Sequence, residues 1–143
     1  MKPKTISILI PVYNEEKFII HTLSRVIEAD TLDLKKEILI IDDCSSDGTY
    51  KLLKQEISRL KKEVKTPSYS ITLIHKEVNE GKGAAIKKGL TESKGDIVII
   101  LTYVYVNDSK ARNCTPKVVH VDAKNAIRDA KRTDEILTLL EAE

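Results

Sequence analysis

The chain has 143 residues, 41% hydrophobic and 32% charged, the size and balance of one domain able to bury roughly two-thirds of its unfolded surface. Its 24 Lys and Arg against 22 Asp and Glu leave a net charge of +2, too even to make nucleic acid or an anionic membrane the main partner, and its dense aliphatic runs exclude a disordered chain. Two cysteines, Cys44 and Cys114, exclude a disulfide framework and point to a reducing compartment. The opening Met1-Lys-Pro-Lys-Thr does not read as a signal peptide, and the longest apolar run, 97–106, is half the length of a membrane-spanning helix. A cytoplasmic protein is therefore expected.

In chain order, residues 6–12 form a β-rich apolar run that predicts a strand buried on both faces. Asn14 is then expected to cap a helix with Glu15 and Glu16 in its first turn and Ile19, Ile20, Leu23, Val26 and Ile27 at helical spacing. A second buried strand, 37–42, ends in the polar cluster Asp42-Asp-Cys-Ser-Ser-Asp-Gly. The helix that follows carries Leu53, Ile57, Leu60 and Val64, and its basic outer face reads as a solvated surface. Residues 70–75 predict a third strand, 84–91 a short helix whose small residues let it lie close to a sheet, and 97–106 a long fourth strand. Residues 117–121 predict a fifth strand, and Ala126, Ile127, Ala130, Leu137 and Leu140 mark a last helix. This alternation argues for a single domain, a three-layer α/β/α Rossmann-like fold with a mainly parallel sheet of about five strands.

All five glycines lie between residues 48 and 95. Glycine permits tight turns and close approach of backbone to ligand, so the middle of the chain is where a site is expected. In open parallel sheets ligands gather beyond the carboxyl ends of the strands. Three polar clusters fall there, Pro11-Val-Tyr-Asn-Glu, Asp42-Asp-Cys-Ser-Ser-Asp-Gly and Asn79-Glu-Gly-Lys-Gly, and they converge if the strands are adjacent. Tyr13 offers a flat face to a base, and Asp43 can accept from a base N–H or a ribose hydroxyl. Gly81-Lys82-Gly83 at a helix start offers N–H groups and a cation to phosphate. For any one cluster alone, a helix cap or turn is a sufficient explanation.

The runs Ser7-Ile-Leu-Ile-Pro-Val-Tyr-Asn-Glu-Glu, Ile40-Ile-Asp-Asp-Cys-Ser-Ser-Asp-Gly-Thr and Asn79-Glu-Gly-Lys-Gly-Ala-Ala-Ile-Lys-Lys-Gly-Leu, followed by Gly95-Asp-Ile-Val-Ile-Ile, resemble the nucleotide-binding half of a family 2 glycosyltransferase of the GT-A fold. The subgroup they resemble most is the dolichyl-phosphate mannose or glucose synthases. The resemblance covers residues 1–101 and implies that Pro11, Tyr13 and Glu15 surround the nucleoside, that Asp43 binds the base while Asp42 holds the loop, and that Gly81 and Lys82 border the sugar-nucleotide. It further implies a UDP- or GDP-sugar donor, Mg²⁺ or Mn²⁺ as cofactor, and a polyprenyl phosphate acceptor met at the cytosolic face of a membrane.

The family's Asp-x-Asp metal motif would fall at residues 102 and 104, which here are Thr102 and Val104. Neither supplies the hard carboxylate oxygens that a diphosphate-bound cation needs, and Asp108, four strand residues beyond Val104, would lie about 13 Å away. No metal site is assigned, the catalytic residues are left unknown, and weak or absent transfer is expected. Residues 102–143 read as a divergent strand and helix that end a truncated enzyme, a chimera or design, or a natural pseudoenzyme. The alternatives to an enzyme are a non-catalytic nucleotide-binding module and a scaffold without retained function.

Among smaller features, Cys44 reads as a structural thiol, and His21, His75 and His120 lack metal-ligand spacing. The two sequons at Asn107 and Asn113 read as chance matches. The uncharged strand 97–106, if left at an edge, is a surface for a homodimer.

Overall fold

A computed structural model describes residues 2–101 with their side chains, and the backbone of 102–104 and 115–121. Eight elements follow in the order β1 (Thr5–Val12), α1 (Ile19–Glu28), β2 (Lys35–Asp42), α2 (Thr49–Glu63), β3 (Tyr69–His75), α3 (Lys82–Glu92), β4 (Ile97–Val104) and β5 (Thr115–Val121). They build one sheet of strand order β3-β2-β1-β4-β5, in which the first four strands are parallel and β5 runs antiparallel to β4. The α/β architecture expected from the alternating pattern is the one observed. The final helix expected over residues 126–140, with Tyr105 and Val106, lies outside the described residues.

Period-2 alternation divides the core between the two faces of the sheet. Ile6, Ile8, Ile10 and Val12 of β1 and Ile38 and Ile40 of β2 pack with Ile19, Leu23 and Val26 of α1 and Leu53 and Ile57 of α2. Leu9, Leu39, Ile41, Val98 and Ile100 meet Ala85, Ile86 and Leu90 of α3 on the other face. β1 and β2 are therefore apolar at successive positions over residues 8–12 and 38–41, as strands covered on both sides require. Gly89 gives the close approach its small-residue helix suggested, since a Cβ there would stand 2.7 Å from Ile41 Cδ1.

The strand order follows from chain connectivity. Right-handed crossovers carry β1 to β2 to β3 in one direction with α1 and α2 on one face. The return from β3 to β4 reverses direction, so α3 covers the opposite face. The reversal leaves a switch point between β1 and β4, where open α/β sheets form ligand crevices.

Three expectations need correction. Asn14 does not cap α1: the helix begins at Ile19 after Phe18, and no side chain caps it. Asn14 instead sits at φ 50 in a turn whose Glu15 carbonyl accepts from the N–H groups of Phe18 and Ile19, so Glu15 and Glu16 stand ahead of the helix rather than in its first turn. The third helix starts at Lys82, two residues earlier than residue 84. β4 is not an edge strand, because β1 pairs with it through Ile100 and β5 through Val104, and the homodimer expected on its open ladder is not available there.

Candidate functional site

The carboxyl ends of β1, β2 and β3 lie side by side, with Val12 opposite Asp42 and Asp42 opposite His75. Their loops leave from one edge and are tied together by side chains. Asn14 Oδ1 accepts from the N–H of Ser46 at 2.8 Å and of Asp47 at 3.3 Å, and Asn14 Nδ2 donates to Ser46 Oγ at 3.0 Å. The Glu15 N–H donates to Thr49 Oγ1 at 2.8 Å, and the Gly48 N–H to Glu16 Oε2 at 2.8 Å. Asp47 turns the chain into α2 by accepting from the Thr49 N–H at 2.9 Å.

Asp43 joins the second loop to the third. Its Oδ1 accepts from Lys76 Nζ at 3.0 Å and the Glu80 N–H at 3.1 Å, and its Oδ2 accepts from the Gly81 N–H at 2.8 Å. Burial works to raise the pKa of this carboxyl, but the N–H groups of Glu80 and Gly81 and the Lys76 ammonium outweigh it and hold the pKa below the ordinary value. Three donors on two oxygens leave room for one more, so Asp43 keeps acceptor capacity toward a ligand. Lys76, only a tenth exposed, also pairs with Glu80 at 3.1 Å.

Of the six residues singled out from the sequence, Tyr13 is 47% exposed and presents its ring at this edge. Pro11 is buried inside β1 opposite Ile41, past the last β1–β4 pair at Leu9, where a missing N–H is tolerated. Glu15 is half-buried, and its carboxyl is pushed up to about 7 by burial, opposed by Lys82 and reinforced by Asp47. Gly81 adopts φ 93, a region that side chains avoid, and precedes α3 without any side-chain cap, so the first N–H groups of α3 beside exposed Lys82 face outward. Asp42, fully buried, holds its loop by accepting from Ser45 Oγ and pairs with His75 Nδ1 at 2.7 Å. Cys44 Sγ reaches the Glu77 carbonyl at 3.4 Å, the structural role expected of it.

The sequence reading missed Lys76, Asn14 as a loop tie, and His75. Lys76 stands one residue past the carboxyl end of β3, the position that singled out the residues beyond β1 and β2, and that placement was its available signal. Thr102 and Val104 lie at the carboxyl end of β4, opposite Lys117 and Thr115 of β5. Their chemistry does not fit a divalent cation. Among the described residues no group of three or more His, Cys, Asp or Glu side chains could hold a metal ion, and no helix is long and apolar enough to cross a membrane.

The opposite, amino edge of the sheet holds a cavity of about 750 Å³ lined in part by Lys36, Glu37, Tyr69 and Gly95. Its Lys36 and Glu37 side chains are committed to the fold. Lys36 Nζ donates to the carbonyls of Val26, Ile27 and Ala29, and Glu37 accepts from Ser7 Oγ and the Lys94 N–H.

Comparison with known proteins agrees with this geometry. The family model described as glycosyl transferase family 2 matches residues 7–102. A dolichyl-phosphate beta-glucosyltransferase of Dictyostelium discoideum is 33% identical over 84% of this chain and 37% of its own length. An undecaprenyl-phosphate 4-deoxy-4-formamido-L-arabinose transferase of Aeromonas hydrophila is 38% identical over 68% of this chain and 28% of its own. The chain thus spans about a third of the length of these curated relatives. Among solved structures, a mannosyltransferase from Pyrobaculum calidifontis in complex with GDP-Man and Mn²⁺ superposes with a TM-score of 0.59 at 27% identity, over 70% of this chain and 27% of that one. TarS of S. aureus in complex with UDP-GlcNAc shares the fold at a TM-score of 0.55 and 23% identity, over 68% of this chain and 26% of that one.

Proposed function

Because the chain belongs to glycosyl transferase family 2, we propose that its carboxyl-edge site binds the nucleotide part of a UDP- or GDP-sugar. The observation that carries this reading is Asp43, a buried carboxylate that holds the Glu80-Gly81 turn at the start of α3 and retains capacity for one more donor. In this arrangement Tyr13 supplies a stacking face for the base, and Asp43 accepts from a base N–H or a ribose hydroxyl. The uncapped N-terminus of α3 and Lys82 receive the phosphates. Pro11 and Glu15 shape the wall on the β1 side.

The names of the relatives favour a whole protein that transfers the sugar to a polyprenyl phosphate, an acceptor that the family resemblance implies is met at the cytosolic face of a membrane. Family members would use Mg²⁺ or Mn²⁺ to neutralise the departing diphosphate. Thr102 and Val104 do not suit that role, and no step of the proposed binding runs through a metal. Weak or absent transfer by this chain is the consequence, and the same observation favours the second reading, a nucleotide-binding module without turnover.

Calorimetric titration with UDP and GDP, with and without Mn²⁺, tests both. Binding to one nucleotide is expected with no gain from Mn²⁺, and Asp43→Ala is expected to weaken it about tenfold or more. No binding by the unaltered chain overturns the nucleotide reading and leaves a scaffold. Transfer to polyprenyl phosphate that EDTA abolishes overturns the inactive reading.

A further inference from the structure

We propose that Asp42, His75 and Tyr50 form a positioning relay that sets, through Ser45, both loops that face the nucleoside. The relay starts at β3, one of the two outer strands of the sheet. The His75 ring stacks on Tyr50 with centroids 4.1 Å apart and planes 27° from parallel, while Lys54 Nζ lies 4.7 Å from the Tyr50 centroid. So oriented, His75 Nδ1 meets Asp42 Oδ2 at 2.7 Å. The Asp42 carboxylate is fully buried, and it binds Ser45 through Oγ and through the Ser45 N–H at 3.4 Å.

The polarity of the Ser45 hydroxyl carries the effect onward. Its single proton goes to Asp42, so its lone pairs are the groups left to meet the Asn14 N–H, at 3.0 Å. Asn14 then binds Ser46 and Asp47 with its amide.

What these bonds hold in place is strained. Asn14 at φ 50 and Cys44 at φ 59 are left-handed residues without the freedom of glycine, and such positions persist only where the surroundings over-determine them. Asn14 adjoins Tyr13 and Cys44 adjoins Asp43, the two side chains proposed to meet the nucleoside. Asp42, His75 and Tyr50 are given no contact with the nucleotide, and they act through the residues they hold.

The consequence for binding rests on the nucleotide-binding reading above, whereas the setting of the loops does not. The test therefore uses the full chain in two measurements, amide hydrogen exchange without nucleotide and titration with UDP and GDP. His75→Phe keeps a ring for Tyr50 and removes the bond to Asp42, and His75→Asn offers an amide N–H near the position of Nδ1. Exchange at Asn14, Ser46 and Asp47 is expected to accelerate about tenfold in His75→Phe, with exchange at Ile86 and Leu90 of α3 unchanged, and to return to within about threefold of the original in His75→Asn. Nucleotide affinity is expected to follow the same order.

Unchanged exchange at the three loop amides in His75→Phe overturns the relay. So does equal acceleration in α3, or failure of His75→Asn to restore protection. If the unaltered chain binds neither nucleotide, the functional reading fails while exchange still decides the relay.

Discussion

Gly81 and Glu15 show how single residues at the carboxyl edge trade stability for a site. At φ 93 with ψ 168, Gly81 occupies backbone space that is nearly closed to other residues, although a Cβ there would meet nothing within 4 Å. Gly81→Ala is therefore expected to cost about 1–3 kcal/mol through backbone strain alone, measured by urea unfolding, and to weaken nucleotide binding by displacing the N–H that Asp43 holds. Glu15 works through its proton. Its folded pKa of about 7 lies above the ordinary 4.5, so between these values the native state keeps a proton that the unfolded chain releases. Stability from this group is full below pH 4.5 and is lost as pH rises to about 7. Glu15→Gln should match the original chain at pH 4.5 and exceed it above pH 7 by about 1 kcal/mol, a figure reduced for solvent screening at a half-buried group; equal stability at both pH values would contradict the shift. The sequence marked both residues as belonging to the site. It could not show that Asn14 beside Glu15 spends its amide across the sheet rather than on its own helix, because the competing acceptor and donor stand over thirty residues away.

At the scale of elements, hydrophobic spacing identified α1 and α2 because each helix buries one stripe: Ile19, Leu23 and Val26 in the first, Leu53 and Ile57 in the second. How a helix ends is less visible. The close of α1 depends on Lys36, a residue of the next strand whose ammonium binds three carbonyls at 2.7–3.0 Å. Burial lowers its pKa, with Asp30 opposing, yet the helix dipole and three acceptors favour a charged group at this place. Lys36→Met is expected to leave those carbonyls without their donor and to lower stability by about 1–3 kcal/mol in urea unfolding. In contrast, the Arg59 pairs with Glu56 and Glu63 are exposed, and removing them by Arg59→Ala should change stability by less than about 1 kcal/mol. A larger loss would show that the surface of α2 is not merely solvated.

Across the whole molecule, β1 is the strand on which both layers depend, with Ile10 facing α1 and α2 and Leu9 facing α3, each fully buried. Leu9→Ala and Ile10→Ala should each lower stability by about 2–5 kcal/mol within a single transition seen alike by far-UV circular dichroism and tyrosine fluorescence; separate transitions would mean that the two layers unfold independently. The sequence by itself determined the α/β class, the described strands and helices to within a few residues, the family, and the three loops that carry its motifs. These are local facts, because burial on one or two faces imposes its period on neighbouring residues and a loop motif is read along the chain. Tertiary structure alone decided that β4 is interior, that β1, β2 and β3 bring their loops to one edge, and which partner each buried carboxylate takes. Asp42 and Asp43 are adjacent and chemically identical, yet one meets Ser45 and His75 while the other meets Lys76, Glu80 and Gly81. Successive side chains at a strand end leave in different directions, and what each one meets is set by the order of strands in the sheet.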